Sequence, residues 1–143
     1  MKKIRDIMNT EVESTHPTAT VKQAADRMRA LDVGTLPVCE GKRIIGVLTD
    51  REMTVHIAAV GRDSGTTLVK DNLNPDPALV SDDDSIKSAE RTMETKGTHR
   101  VFVVDRDRNL VGIVSLGKVS RVDNPKAAGQ IVGSISRSRK SVG

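Results

Sequence analysis

The chain of 143 residues is long enough for one compact core or two small packed modules, and with Phe102 as its single aromatic residue that core must be aliphatic. The lack of Trp and Tyr argues against stacking platforms for single-stranded nucleic acid. The net charge of +4 comes wholly from the end of the chain, where Arg121, Lys126, Arg137, Arg139 and Lys140 face only Asp123, so the body is neutral and nucleic-acid binding is disfavoured.

The N-terminal "MKKIRDIMNT" has basic residues but no apolar stretch behind them, and no later run is long enough to span a bilayer, which reads as a cytoplasmic protein. A one-turn helical stretch, "IRDIMN", and a short extended segment come first. Thr20 and Gln23 then form a capping box ahead of a helix whose apolar face carries Val21, Ala24, Ala25, Met28 and Leu31. "TLPVC" and "RIIGVL", separated by the turn-forming "EGK", read as a hairpin. Cys39 lies inside this apolar run as a small buried hydrophobe, and His16, His56 and His99 have no ligand spacing with it, so no metal site is expected. A second helix starts at Thr49, with Met53, Ile57 and Val60 on one face. "VGRDSGTT" follows as a connector.

The order then recurs. A second helical turn, "VKDNLN", precedes a helix from Ser85 through Ile86, Ala89 and Met93, a strand "VFVVD", a turn "RDRN", a strand "LVGIV" and a short helix ending before Asn124-Pro125. Shifting the sequence by 65 residues aligns Asn9 with Asn74, Ala24 with Ala89 and Met28 with Met93; after one extra turn residue, Ile45 to Thr49 fall on Val111 to Ser115. The expected fold is α/β (α+β): two β-α-β-β-α units, 1–62 and 63–123, packed sheet to sheet with pseudo-two-fold symmetry, followed by a basic tail, 124–143, too polar to fold alone.

The two long matching stretches, "MRALDVGTLPVCEGKRIIGVLTDREM" and "METKGTHRVFVVDRDRNLVGIVSLGKV", resemble tandem CBS domains, the pair called a Bateman module, over about Ile4 to Val122. The resemblance implies a non-enzymatic regulatory module of the stand-alone bacterial type, engaged in energy sensing. It implies an adenosyl ligand such as AMP, ADP, ATP, NAD or S-adenosylmethionine, bound in crevices between the units, with no other cofactor required. It also implies a homodimer joined through the helices after each last strand, and an effector protein whose identity the chain does not disclose. In that family the Ser/Thr hydroxyl contacts phosphate and an acid three residues later accepts from ribose hydroxyls. Carried over, the nucleotide-binding positions are Thr35, Leu36, Thr49, Asp50 and Glu52 in one copy and His99, Arg100, Val101, Ser115 and Lys118 in the other.

Both copies depart from the pattern. Glu52 is a longer acid than usual, and Lys118 cannot accept a hydrogen bond. Thr49 and Glu52 also satisfy a capping box without any ligand. Lys118 is either solvated or, with Arg100 and His99, part of a basic pocket suited to di- or triphosphate. Asp82, Asp83 and Asp84 supply helix N-terminal charge or a Mg²⁺ site beside a nucleotide. A ligand-free dimerisation scaffold is the rival reading. An enzyme is disfavoured, since no nucleophile, base and orienting acid occur together.

Overall fold

A computed structural model describes residues 2–122; the basic tail, 124–143, lies outside them. The chain divides into two compact units, one of residues 13–77 and one of residues 2–12 with 78–122. Both mix helix and strand, giving an α+β fold.

In the unit of residues 13–77, α1 (Val21–Leu31) is capped as its sequence predicts. Thr20 Oγ1 accepts from Gln23 N at 3.1 Å, and Thr20 N donates to Gln23 Oε1 at 2.9 Å. Its buried residues are Val21, Ala24 and Met28, of which Ala24 and Met28 share a core with Leu36, Val38 and Leu48 of the hairpin β1 (Thr35–Glu40) and β2 (Arg43–Thr49). Leu31, expected on that face, is exposed, because the helix stops there with Asp32 in the left-handed conformation. α2 (Asp50–Met53) continues directly into a π-helical segment, Thr54–Ala58. Ala59 N donates to Thr54 O and Arg62 N to Ile57 O, bonds that reach one residue further back than in an α-helix. This widening changes the helical phase, so Ile57 is buried while Val60, expected beside it, is exposed.

The second unit repeats the arrangement with α3 (Ile86–Lys96), the hairpin β4 (Arg100–Val104) and β5 (Leu110–Ser115), and α4 (Leu116–Val122). A short strand, β3 (Leu79–Ser81), pairs parallel to β4 and completes a three-stranded sheet. In the other unit the corresponding strand is reduced to a single parallel bridge, Thr15 to Val38. Both hairpins carry a register irregularity at matching positions, Val38/Cys39 and Val103/Val104.

The compact units do not follow the sequence repeats. Residues 2–12 open the first repeat but pack with the second hairpin: Ile4 and Ile7 join the core of Ile86, Met93, Val101 and Val114. Asn9 exchanges two backbone bonds of 2.9 Å with Ile113 on β5. Reciprocally, residues 69–74 dock on the first hairpin, where Asn74 exchanges bonds of 2.8 and 2.9 Å with Val47 on β2. Each docked segment covers a strand edge that would otherwise present unpaired backbone groups. The repeated asparagine has a local reason, since Asn9 Oδ1 accepts from Glu11 N and Asn74 Oδ1 from Asp76 N, the same side-chain turn in both copies.

The close docking explains the glycine in each second strand. A Cβ on Gly46 would lie 2.5 Å from Asn74 O, and one on Gly112 would lie 2.7 Å from Met8 Sδ.

Matching ends of α1 and α3 supply a stability prediction. Asp32 sits at φ 55°, whereas its repeat partner, Gly97, sits at φ 64° with a residue that has no Cβ to strain. Asp32→Gly is expected to raise stability by about 0.5–1 kcal/mol, read as a higher urea midpoint at unchanged slope.

Candidate functional site

Thr49 and Ser115 occupy equivalent strand-to-helix junctions. Thr49 Oγ1 accepts from Glu52 N at 3.2 Å and Thr49 N donates to Glu52 Oε2 at 3.1 Å, a closed capping box. Ser115 Oγ likewise accepts from Lys118 N at 3.2 Å. The ammonium of Lys118 has no means of accepting from the backbone, so the loop that Glu52 closes stays open in the second copy. At the mouth of each hairpin, the carbonyl before the first strand accepts from the first helical amide: Gly34 O from Asp50 N at 2.9 Å, His99 O from Leu116 N at 2.7 Å.

Behind each junction is a crevice whose other wall is the docked segment. The crevice beside β5 is about 570 Å³ and is walled by Arg100, Ser115, Lys118, Arg121, Met8 and Asn9. Its three cations face no carboxylate of the wall, and none forms an ion pair among the described residues. Arg100 pairs with Ser115 across the antiparallel ladder, which places guanidinium and hydroxyl at one end of the hairpin. Lys118 and Arg121 follow at helical spacing i, i+3, on one face of α4.

The crevice beside β2, about 440 Å³, holds Glu52, Asp71, His56, Arg62, Asn72 and Asn74. Two carboxylates against one guanidinium give it the opposite polarity. Asn72 is buried, its Nδ2 donating to Leu68 O at 2.9 Å while its Oδ1 accepts from Arg62 Nη1 at 3.4 Å.

The residues expected from the sequence are therefore distributed unevenly. Arg100, Ser115 and Lys118 meet in one crevice, whereas Thr49 is taken up as a cap and Glu52 lines the acidic crevice. Asp50 borders a separate hollow of about 360 Å³ with Arg29 and Asp32. Thr35 is exposed at the start of β1, across from Thr49. The side chains of Leu36 and Val101 lie in the two apolar cores. His99 precedes β4 half-buried, with its Nε2 buried and unbonded.

Arg121 and Asn9 were missed by the sequence reasoning. The i, i+3 spacing from Lys118 and the Asn9/Asn74 match were the signals that could have found them.

Several titratable groups elsewhere fasten the fold. Asp83 bonds Lys3 and Arg5, each at 2.7 Å, and Lys3, then Arg5, hold its carboxyl below the usual range. With Asp84 Oδ2 accepting from Ser81 N, two of the three consecutive aspartates are engaged in fastening residues 2–12 and the turn before α3. Among the described residues no three His, Cys, Asp or Glu side chains cluster as metal ligands. Burial raises the Cys39 thiol pKa, against a smaller lowering by Ser14, which makes it a poor nucleophile at neutral pH. Glu13 and Arg27 form an exposed ion pair. Among the described residues no helix is long and apolar enough to cross a membrane.

The CBS domain family model matches the chain twice, over residues 4–59 and 69–124. CBS domain-containing protein YhcV of Bacillus subtilis is 34% identical over 138 residues, covering 95% of this chain and 96% of its own. The crystal structure of Hypoxic Response Protein I, with two coordinated zinc ions, superposes with a TM-score of 0.77 at 34% identity, covering 85% of this chain and 98% of that one. CBSX2 of Arabidopsis thaliana, solved in complex with AMP, gives a TM-score of 0.72 at 24% identity over 85% of this chain and 95% of that one. With two family matches at the boundaries of its internal repeat, the chain belongs to the CBS domain family, as a tandem pair.

Proposed function

We propose that the chain is a non-catalytic regulatory module that binds an adenosyl nucleotide and reports its presence to a partner protein. The observation that carries this reading is the meeting of Arg100, Ser115 and Lys118, three positions drawn from the nucleotide-binding pattern, in one crevice of about 570 Å³. That volume is in the ordinary range for a small-molecule site. The AMP complex of CBSX2 supports the same class of ligand. Arg100 supplies a rigid fork for a phosphate, and the Ser115 hydroxyl, accepting from Lys118 N, still has its own O–H to donate. Binding shifts the packing of the module only as far as the ligand's affinities for two arrangements differ. A homodimer is the assembly in which this shift would be passed on.

A thermal-shift titration of ligand-stripped protein with AMP, ADP, ATP, NAD and S-adenosylmethionine, with and without Mg²⁺, tests the reading. A ligand at about 100 times its Kd should stabilise the fold by about 2.7 kcal/mol, seen as a saturable rise of several degrees. No rise with any of them would favour the ligand-free scaffold. That second reading draws its support from the first copy, where Thr49 and Glu52 already satisfy each other and Val55 and Val60 are exposed on the following helix.

A further inference from the structure

Resting on the nucleotide-sensing reading, we infer that the crevice beside β5 selects ligands with two or more linked phosphoryl groups over monophosphates, and that the crevice beside β2 does not take them. The charge inventory of the two walls carries the argument. Arg100, Lys118 and Arg121 approach one cavity from β4 and α4, with no carboxylate in its wall and no ion pair to any of the three among the described residues.

Three cations sharing a cleft repel one another, and a single phosphoryl group, with at most two negative charges, leaves part of that repulsion in place. A di- or triphosphate neutralises all three. Its length also suits the spread of the donors: the Arg100 fork and Ser115 O–H at the end of the hairpin, and Lys118 and Arg121 one turn apart along α4. Asn9 uses its backbone N–H, backbone C=O and Oδ1 within the fold, which leaves its Nδ2 donors for the ligand's remaining acceptors.

The equivalent position to Lys118 in the other crevice is Glu52, and Asp71 stands beside it, so a polyanion there meets two carboxylates against Arg62. The two crevices share a backbone plan and have opposite preferences for charge.

Isothermal titration of the whole chain, without divalent cations, with adenosine, AMP, ADP, ATP and inorganic tripolyphosphate tests the selection. ADP and ATP should bind at least about tenfold more tightly than AMP, at one site per chain, and tripolyphosphate should displace ATP. Added salt should weaken ATP binding more than AMP binding. Lys118→Ala and Arg121→Ala should bring the ATP affinity toward that of AMP, while Arg106→Ala, in the exposed β4–β5 turn at the other end of the hairpin from Arg100 and Ser115, should leave both unchanged. Equal affinities for AMP and ATP, two equivalent ATP sites, or an ATP-to-AMP ratio indifferent to both substitutions would overturn the selection and leave the sensor reading standing. Tripolyphosphate binding without any nucleotide binding would uphold the anion selection and overturn the sensor reading. Silence from every probe would overturn both.

Discussion

Gly46→Ala is expected to destabilise the chain by about 3 kcal/mol, through overpacking of a site with no room to relax. The added Cβ would stand 2.5 Å from Asn74 O and 2.7 Å from Leu73 Cδ1, closer than carbon approaches either atom. A side chain can rotate away, but the Asn74 carbonyl is fixed by the pair of backbone bonds it forms with Val47. Residues 69–74 must then lift from β2, breaking those bonds and exposing the strand edge. Removing glycine's freedom from the unfolded chain returns only about 0.4–1 kcal/mol, too little to reverse the sign. Gly112→Ala should cost less, about 1–2 kcal/mol, because its nearest neighbours are Met8 Sδ at 2.7 Å and Cγ at 2.9 Å, on a flexible side chain. Urea denaturation of both variants checks the order; equal losses would mean that the docked segments yield as easily as methionine does.

That asymmetry was hidden in the sequence, although the glycines themselves were plainly repeated. Alternating apolar runs around "EGK" and "RDRN" identify the hairpins, and the Thr20 and Gln23 pair identifies the start of α1, because each pattern acts within a few residues. The crossing of residues 2–12 onto the second hairpin has no local signal. Its determinants are the Asn9–Ile113 bonds and the burial of Ile4 and Ile7, contacts between opposite ends of the chain. Sequence order therefore places the first segment with the nearer repeat, while packing places it with the farther one. The outward turn of Val60 was hidden for a different reason, since an α-helical period cannot anticipate a π-helical segment. Among the residues lining the crevice beside β5, Arg100, Ser115 and Lys118 are marked by repeat alignment and resemblance. Arg121 is not, because its place in the wall depends on sharing a face of α4 with Lys118 opposite residues 7–9 from the start of the chain.

Lys118→Glu should separate stability from binding. The substitution places at the start of α4 the residue that the other copy uses to close a capping box, where Thr49 N donates to Glu52 Oε2. It also replaces an ammonium near the positive end of a helix by a carboxylate, favourable by about 0.3–1 kcal/mol. Together the two effects should raise the stability of the ligand-free chain by about 1 kcal/mol. In the crevice the same change leaves Arg100 and Arg121 facing an acid, so a pair of charges is lost from the sum seen by a polyphosphate. Binding of ATP should fall by at least about tenfold, beyond the loss in Lys118→Ala, since repulsion is added to the missing contact. Both outcomes together would make Lys118 a ligand-responsive position, whose cost to the free module the bound ligand relieves. Melting temperatures measured with and without ATP check both halves. Should Lys118→Glu lower the ligand-free melting temperature, the capping argument fails, and should it leave the ATP-induced rise intact, Lys118 has no part in the crevice.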